Sequence, residues 1–378
     1  MIRDYFAFLS GIALVAALVG LSMPLFSLLL ENRGHASGII GWNGAVPAVA
    51  GLIGSALLPL AMRRISIEWL LYAGLAVTAI GLMPLAFTES LPAWFALRFV
   101  FGLGLTVLFV VTEVWLSHIA PEAQRGRLVG LYSTVLAAGF ALGPALLAVT
   151  GTAGLAPFLA GGGLILLAAL PLLLAHGRAP KLHTGNPSGH SVLDPIRKAP
   201  DLMLAVCTFG AVESIALTLL PNYGLAHGLT EIEAATLLVA SGLGNVAVQL
   251  PLGWLADHMD RRRLLIVAGL IATAAASLSP FVMHSLPLRW SLIFVWGGSA
   301  VALYSVGLVL LGERFKSGGL ANANSAFILM YSLGSLIGPP LAGYAMQLWR
   351  PDGFVAVIAG LTFLHVVVTA ALRPPVSR

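Results

Sequence analysis

One spacing pattern occurs twice in this chain, and it constrains the fold more than any other feature. Gly139-x3-Gly143-Pro144 in the first half is repeated as Gly334-x3-Gly338-Pro339 in the second half, with every position shifted by 195 residues. The same shift relates Gly102 to Gly297. Self-similarity at a fixed offset indicates an internal duplication, so it predicts a molecule built from two similar halves.

The amino-acid composition indicates whether these halves are surrounded by water or by lipid. Of the 378 residues, 58% are hydrophobic and only 9% are charged, with a mean hydropathy of +0.95. A soluble domain carries about 25% charged residues, so this chain has too little charged surface to stay dissolved. Its apolar runs are continuous rather than alternating, which disfavours a β-barrel and predicts helices that cross a lipid bilayer.

The apolar runs and the polar joints between them predict twelve spans in two pseudo-symmetric six-helix bundles, an all-α integral membrane fold. The predicted bundles are residues 1–176 and 201–378, joined by a Pro-, Gly-, His- and basic-rich linker over 177–200. The predicted spans are 7–31, 39–62, 68–88, 93–117, 127–150, 154–176, 201–226, 232–256, 263–283, 287–311, 321–347 and 353–372.

The positive charges lie on one side of these spans. Placing the N-terminus in the cytoplasm puts sixteen of the 20 Lys and Arg residues inside and only Arg33, Arg289 and Arg350 outside, with Arg98 within span 4. This positive-inside bias predicts that both termini are cytoplasmic. It also explains the net charge of +5 as membrane topology rather than as a nucleic-acid-binding patch.

Several kinds of site are disfavoured by the sequence. The single cysteine, Cys207, excludes an intramolecular disulfide and a CxxC site. The nine histidines form no metal-ligand pattern, and no phosphate-binding loop is present. We therefore expect no metal, no cofactor and no ATP-driven step.

The loop after span 8 reads Gly253-Trp-Leu-Ala-Asp257-His-Met-Asp260-Arg261-Arg262-Arg263. It resembles the Gly-x3-Asp-Arg-x-Gly-Arg-Arg signature of the major facilitator superfamily, although His258 and Asp260 replace a basic residue and the second glycine. The resemblance implies a cytoplasmic latch, in which an acid and an arginine cluster make charge-assisted contacts. The implied latch residues are Gly253, Asp257, Arg261, Arg262, Glu313 and Arg125.

Spans 4 and 5 extend the resemblance over the first half. Arg98-x3-Gly102 resembles the span-4 arginine motif of the superfamily, and Glu113-x-Trp115 resembles a poorly characterised bacterial subgroup of exporters. Gly130-x8-Gly139-x3-Gly143-Pro144 resembles the antiporter motif of drug:proton antiporters, although Leu147-Ala148 stands where that family has Gly-Gly. Helix packing alone is the alternative interpretation, and the second copy at Gly334, Gly338 and Pro339 favours it.

The resemblance implies a secondary transporter that works by alternating access in the inner membrane as a monomer, with protons as the coupling ion. We expect export of a small amphipathic compound. The alternative is proton-coupled uptake of a small polar metabolite, such as a sugar or an organic acid. A non-transporting receptor or a polytopic membrane enzyme is a further alternative, but neither His-Glu-x-x-His nor Gly-x-Ser-x-Gly occurs in the chain.

Ionisable residues inside a span are costly and are therefore candidates for function. Glu213 lies 12 residues into span 7, about 18 Å along the helix, where its carboxyl could bind and release protons. Glu113 is a second candidate for proton coupling, and it could instead belong to the inner gate. Arg98 is expected either to contact an anionic substrate or proton site or to extend towards the outer headgroups.

Further polar side chains are expected to line a substrate cavity with these charges. Asn245 and Gln249 are four residues apart on span 8, so they share one face of that helix. Each of the remaining candidates could alternatively serve as an interhelical contact. The complete predicted cavity set is Arg98, Glu213, Asn245, Gln249, Asn43, Asn222, Tyr304 and Tyr331.

Overall fold

The computed structural model describes residues 2–119, 125–174, 193–315 and 320–372. These residues form thirteen α-helices. The helices are α1 (Ile2–Asn32), α2 (Ser37–Met62), α3 (Ile67–Leu82), α4 (Leu91–Ile119), α5 (Arg125–Thr150), α6 (Ala156–Leu174), α7 (Leu193–Lys198), α8 (Pro200–Ala226), α9 (Glu231–His258), α10 (Arg261–Val282), α11 (Leu286–Arg314), α12 (Leu320–Leu348) and α13 (Gly353–Ala371).

Eleven of the helices are long and apolar enough to cross a membrane, and α5 contributes a shorter apolar stretch over Thr134–Thr150. In lipid every backbone polar group must be satisfied within the protein, which is why continuous apolar runs fold as helices. The twelve predicted spans correspond to α1–α6 and α8–α13, with ends that agree within a few residues. The predicted all-α membrane fold is confirmed.

Two local features differ from the predicted spans. The end of the predicted linker holds the short helix α7, in which Lys198 Nζ lies 2.7 Å from Asp194 Oδ2, one helical turn away. Its acid stands in the first turn and its basic residues in the last, as the helix dipole favours. The third span changes at Met83 into a 3₁₀ turn, Met83–Ala86, that contains Pro84.

The chain divides into two compact units, each made mostly of one half of the sequence. The first unit comprises Met1–Gly34, Asn43–Asn186 and Glu231–Val239, and the second comprises His35–Trp42, Pro187–Thr230 and Ala240–Arg378. The contiguous bundles drawn from the sequence remain a prediction. Relative to those bundles, the first turns of α2 (within His35–Trp42) belong to the second unit, and the first turns of α9 (Glu231–Val239) belong to the first.

The two units use the same helix pairs. In the first unit α1 packs on α5 and α6, and α3 packs on α4 and α6. In the second unit the corresponding helices repeat this pattern, since α8 packs on α12 and α13, and α10 packs on α11 and α13. The duplication seen in the sequence is therefore also a duplication of packing.

The repeated glycines explain the closest of these contacts. A Cβ at Gly143 would overlap the α1 backbone at Ala17 and Leu21, and a Cβ at Gly338 would lie 2.8 Å from the Cα of Ala211 in α8. Small residues let helix backbones approach in lipid. The Gly-x3-Gly motifs thus form the α1–α5 and α8–α12 interfaces.

Candidate functional site

The carboxyl group of Glu213 is the centre of a polar and aromatic cluster in the second unit. Glu213 lies in the middle of α8 and is half-buried. Its Oε2 accepts a hydrogen bond of 2.6 Å from the hydroxyl of Tyr331 in α12. The structure therefore joins two residues that the sequence proposed separately as cavity residues.

The ring of Tyr331 belongs to a cluster of aromatic side chains. The ring of Tyr331 lies 6.1 Å from that of Phe209 and 6.3 Å from that of Tyr304, measured between centroids. Tyr304 also contacts Phe209 and Phe327, each at 5.4 Å. Phe209 and Phe327 are buried core residues, and the partly buried Tyr304 and Tyr331 pack against them, so the Glu213 carboxyl is bonded to a member of an aromatic core cluster.

Close packing of α8 on α12 positions Glu213 against Tyr331. A Cβ at Gly210, three residues before Glu213, would overlap the backbone oxygen of Tyr331. Ser214 Oγ donates to the backbone oxygen of Ser335 at 3.2 Å, and Ser335 Oγ donates to that of Gly210 at 3.1 Å. The glycine-lined interface thus sets the register that allows the tyrosine to reach the acid.

Arg98 in α4 is an ionisable residue inside a span of the first unit, and it is almost completely enclosed. Its residue exposure is 1%. The guanidinium lies 4.8 Å from the ring centroid of Phe26 and 5.9 Å from that of Phe101. Extension of Arg98 to the outer headgroups, one of the two alternatives, is therefore wrong, because the surrounding helices enclose the side chain.

The hydrogen bonds of Arg98 are few and weak. Its Nε donates to the backbone oxygen of Asn43 at 3.4 Å, and its Nη2 lies 3.0 Å from Met23 Sδ, a weak acceptor. Its Nη1 has no partner among the described residues, and the same holds for the buried Asn43 Nδ2. A buried charge is normally paired, so this site has donors without an acceptor.

The other predicted cavity residues are placed differently. Asn222 is fully buried in α8. Gln249 Nε2 donates to Asn245 Oδ1 at 3.2 Å, so the hydrogen bond described for this pair joins the two side chains to each other. Their shared helix face is as expected, and a role in the cavity stays a prediction.

Glu113 contacts neither of these sites in the described residues. The hydroxyl of Tyr132 in α5 donates to its Oε1 at 3.2 Å, and the Glu113 side chain is exposed. Its distance from Arg98 along α4 is about 22 Å at the rise of an α-helix. The contact links α4 to α5 and leaves the predicted roles of Glu113 untested.

The charged residues at the junction of α9 and α10 contact the predicted partners only in part. Arg261 pairs with Glu313 and lies 3.6 Å from Asp257. Arg262 instead donates to the backbone oxygens of Thr369, Ala370 and Leu372 at the end of α13. The arginines of this cluster therefore bind two different groups. Arg261 contacts two acids, and Arg262 contacts the C-terminus of a helix, where free backbone carbonyls favour a cation.

Other members of the predicted latch add less. A Cβ at Gly253 would meet no atom within 4 Å. Helix α5 begins at Arg125, whose side chain is outside the described structure, and the surroundings of Gly130 in the predicted antiporter motif are also outside it. Asp260, which replaces a signature glycine, caps α10 by accepting from Arg263 N at 2.8 Å.

One ion pair was missed by the sequence reasoning. Arg314 Nη1 and Nη2 donate to the two carboxylate oxygens of Asp201 at 2.6 and 2.5 Å, and both side chains are largely buried. This is a two-point arginine–carboxylate pair between α11 and α8. The signal was available, because Asp201 and Arg314 are charges at the ends of two apolar helices.

Comparisons with known proteins agree with this architecture. A family model described as Major Facilitator Superfamily matches residues 8–238 and 202–378. An uncharacterized MFS-type transporter, YfkF of Bacillus subtilis (strain 168), is 24% identical over 370 residues, covering 95% of this chain and 92% of that protein. Another, YcaD of Escherichia coli O45:K1 (strain S88 / ExPEC), is 26% identical over 369 residues, covering 97% and 94%.

Solved structures show the same fold. The nucleoside transporter NupG, as its D323A mutant, superposes with a TM-score of 0.79 at 14% identity, covering 97% of this chain and 99% of that one. A D-xylose-proton symporter superposes with a TM-score of 0.76 at 17% identity, covering 98% and 97%. With twelve apolar helices in two similar units and a family model matched along nearly the whole length, this multi-pass membrane protein belongs to the Major Facilitator Superfamily of secondary transporters.

Proposed function

We propose that the protein is a proton-coupled transporter that exports a small amphipathic compound by alternating access, with Glu213 as the residue that carries the proton. The observation that supports this most directly is the hydrogen bond of 2.6 Å between Tyr331 and Glu213, beside a cluster of aromatic side chains. An ionisable group in the middle of a membrane helix is costly and is retained where it has a function.

The surroundings of Glu213 suit both parts of an amphipathic compound. The partly buried rings of Tyr304 and Tyr331 pack against the buried core residues Phe209 and Phe327, and the carboxyl of Glu213 adds one ionisable group beside them. When Glu213 is ionised, the Tyr331 hydroxyl donates to the carboxylate. When Glu213 takes up a proton, the same pair becomes neutral, and its interaction with a charged substrate changes.

Inner-membrane location, cytoplasmic termini and function as a monomer are parts of the same proposal. The positive-inside distribution of Lys and Arg supports the orientation. The relatives YfkF and YcaD are bacterial proteins, which supports the inner membrane. Neither half of the chain could transport alone, since alternating access requires two repeats that move around one site.

Proton-coupled uptake of a small polar metabolite is the second candidate. Arg98 favours it, because a buried cation with no acidic partner among the described residues suits the carboxylate of an organic acid. The fold is compatible with both directions, as the similar structures include a transporter named for nucleosides and a symporter named for D-xylose and protons.

The test is proton movement in proteoliposomes that contain the purified protein and a trapped pH-sensitive dye. We expect tetraphenylphosphonium or phenylacetate to cause a change of internal pH beyond that in protein-free vesicles, and Glu213→Gln to abolish it. Glu89→Gln removes an exposed carboxyl before α4 and should leave the signal unchanged.

Two results would contradict the proposal. Full proton movement in the Glu213→Gln protein would remove Glu213 as the proton carrier. A response to D-xylose alone, with none to the amphipathic compounds, would replace export of an amphipathic compound by uptake of a polar metabolite.

A further inference from the structure

We propose that Arg98 in the first unit binds the carboxylate of an amphipathic organic acid, whose apolar part lies against Phe26, Phe101 and Met23. This inference rests on the proposed transport function and narrows its substrate class. It makes Arg98 a substrate-binding residue, separate from the proton-carrying Glu213 of the second unit.

The first step of the argument is the missing acceptor. Arg98 is 1% exposed, yet its described partners are one backbone oxygen at 3.4 Å and one thioether sulfur at 3.0 Å. Its Nη1 and the amide nitrogen of Asn43, which is also 1% exposed, have no acceptor in the described residues. The two residues that carry these donors are neighbours in space, because the Nε of Arg98 donates to the backbone oxygen of Asn43.

The second step concerns the type of acceptor. A planar guanidinium presents its N–H groups as a fork that matches two oxygens of one carboxylate. The remaining lining is apolar: Phe26 makes edge-to-face contacts with Trp94 and Phe101 at centroid distances of 5.8 and 5.9 Å. A strongly hydrated inorganic anion would lose its water without replacement there, whereas an organic acid brings its own apolar part.

The third step is access. Arg98 lies seven residues after Leu91, the first residue of α4, which is about 10 Å along the helix. Met23, the side chain against Nη2, is only half-buried, so the enclosure is thinnest on that side. Movement of the Met23 side chain is the smallest change that would expose the guanidinium to a ligand.

Thermal unfolding of the purified full-length protein at a fixed pH tests the inference, because a ligand that binds the folded state raises the unfolding temperature. The probes are phenylacetate, octanoate and indole-3-acetate, each compared with its neutral amide. We expect at least one carboxylate to stabilise the wild-type protein more than its amide does, and this difference to disappear in Arg98→Gln.

A second pair of variants covers the case in which Arg98→Gln does not fold. Met23→Glu places a carboxylate where the sulfur now contacts Nη2, so it should occupy the site from within and remove the carboxylate–amide difference. Met23→Leu, its matched control, should keep the difference. We expect the affinity for the carboxylate to fall at least tenfold in Met23→Glu and to stay within about twofold in Met23→Leu.

The outcomes separate this inference from the proposed function. No carboxylate stabilising more than its amide, or a difference that persists in Arg98→Gln or Met23→Glu, overturns the organic-acid site and leaves proton coupling through Glu213 standing. Stabilisation by phosphate instead of the carboxylates also overturns it. A carboxylate effect retained in Glu213→Gln supports it whether or not that variant still moves protons.

Discussion

The two units share a packing frame but carry different chemistry. The shift of 195 residues that superposes the glycines places Ile293 at the position of Arg98 and Leu18 at the position of Glu213. Both counterparts are buried apolar residues, 4% and 1% exposed. The repeat therefore determines how helices pack, whereas each charged site belongs to one unit only.

The junctions between α2 and α3 and between α9 and α10 show the same asymmetry. Asp257 near the end of α9 and Arg261 at the start of α10 are charged, whereas Met62 stands at the position of Asp257 in the first half. The structure pairs Arg261 with Glu313 in the second unit. The two halves are thus similar at the glycines where helix backbones touch, and they differ at the charged positions.

The largest expected effects test the shared frame. Gly143→Leu and Gly338→Leu should each lower the free energy of unfolding by about 3 kcal/mol or more, because both side chains would enter the backbone of a neighbouring helix. Unfolding in mixed detergent micelles measures this. Gly163→Leu is the control, since a Cβ there meets nothing within 4 Å. If one of the pair behaves like the control, the two interfaces are not equivalent.

Opposite signs are expected when the two buried arginines are replaced. Arg314→Leu should cost about 3 kcal/mol, because it leaves the buried carboxylate of Asp201 without its partner. Arg98→Leu should increase stability by about 1–2 kcal/mol, because it removes a buried charge for which the described part of the chain provides no acid. Arg63→Leu, at an exposed loop position, serves as the near-neutral control. If Arg98→Leu lowered the free energy of unfolding as much as Arg314→Leu does, Arg98 would be a structural residue, and the two arginines would not differ in role.

The smallest effects compare the two carboxyl–tyrosine hydrogen bonds. Tyr331→Phe should lower the free energy of unfolding by about 1–2 kcal/mol, and Tyr132→Phe by less than about 0.5 kcal/mol, because the Tyr331–Glu213 hydrogen bond is 2.6 Å long and the Tyr132–Glu113 hydrogen bond is 3.2 Å long. A double-mutant cycle with Glu213→Gln isolates the Tyr331 contribution. Similar losses at both tyrosines would show that hydrogen-bond length does not separate the two pairs.

Much of the site was predictable from single residues, and its assembly was not. Glu213, Arg98 and Tyr331 stand out because polar or ionisable groups in apolar helices are rare. Which of them meet depends on helix rotation and register, which a hydropathy pattern does not contain. The pairing of Asp201 with Arg314 was missed for this reason, since the two residues are 113 positions apart.

The sequence alone determined the membrane as solvent, the number and order of the spans, and the duplication, because length, hydropathy and repeated glycines are properties of local segments. Tertiary structure decided that Glu213 contacts Tyr331, that Arg262 bonds to the end of α13, and that Arg98 is enclosed with no acidic partner among residues 2–119, 125–174, 193–315 and 320–372. Those outcomes depend on how closely two helices approach and at which register. Such distances are set by all the side chains of an interface together, and no single motif contains them.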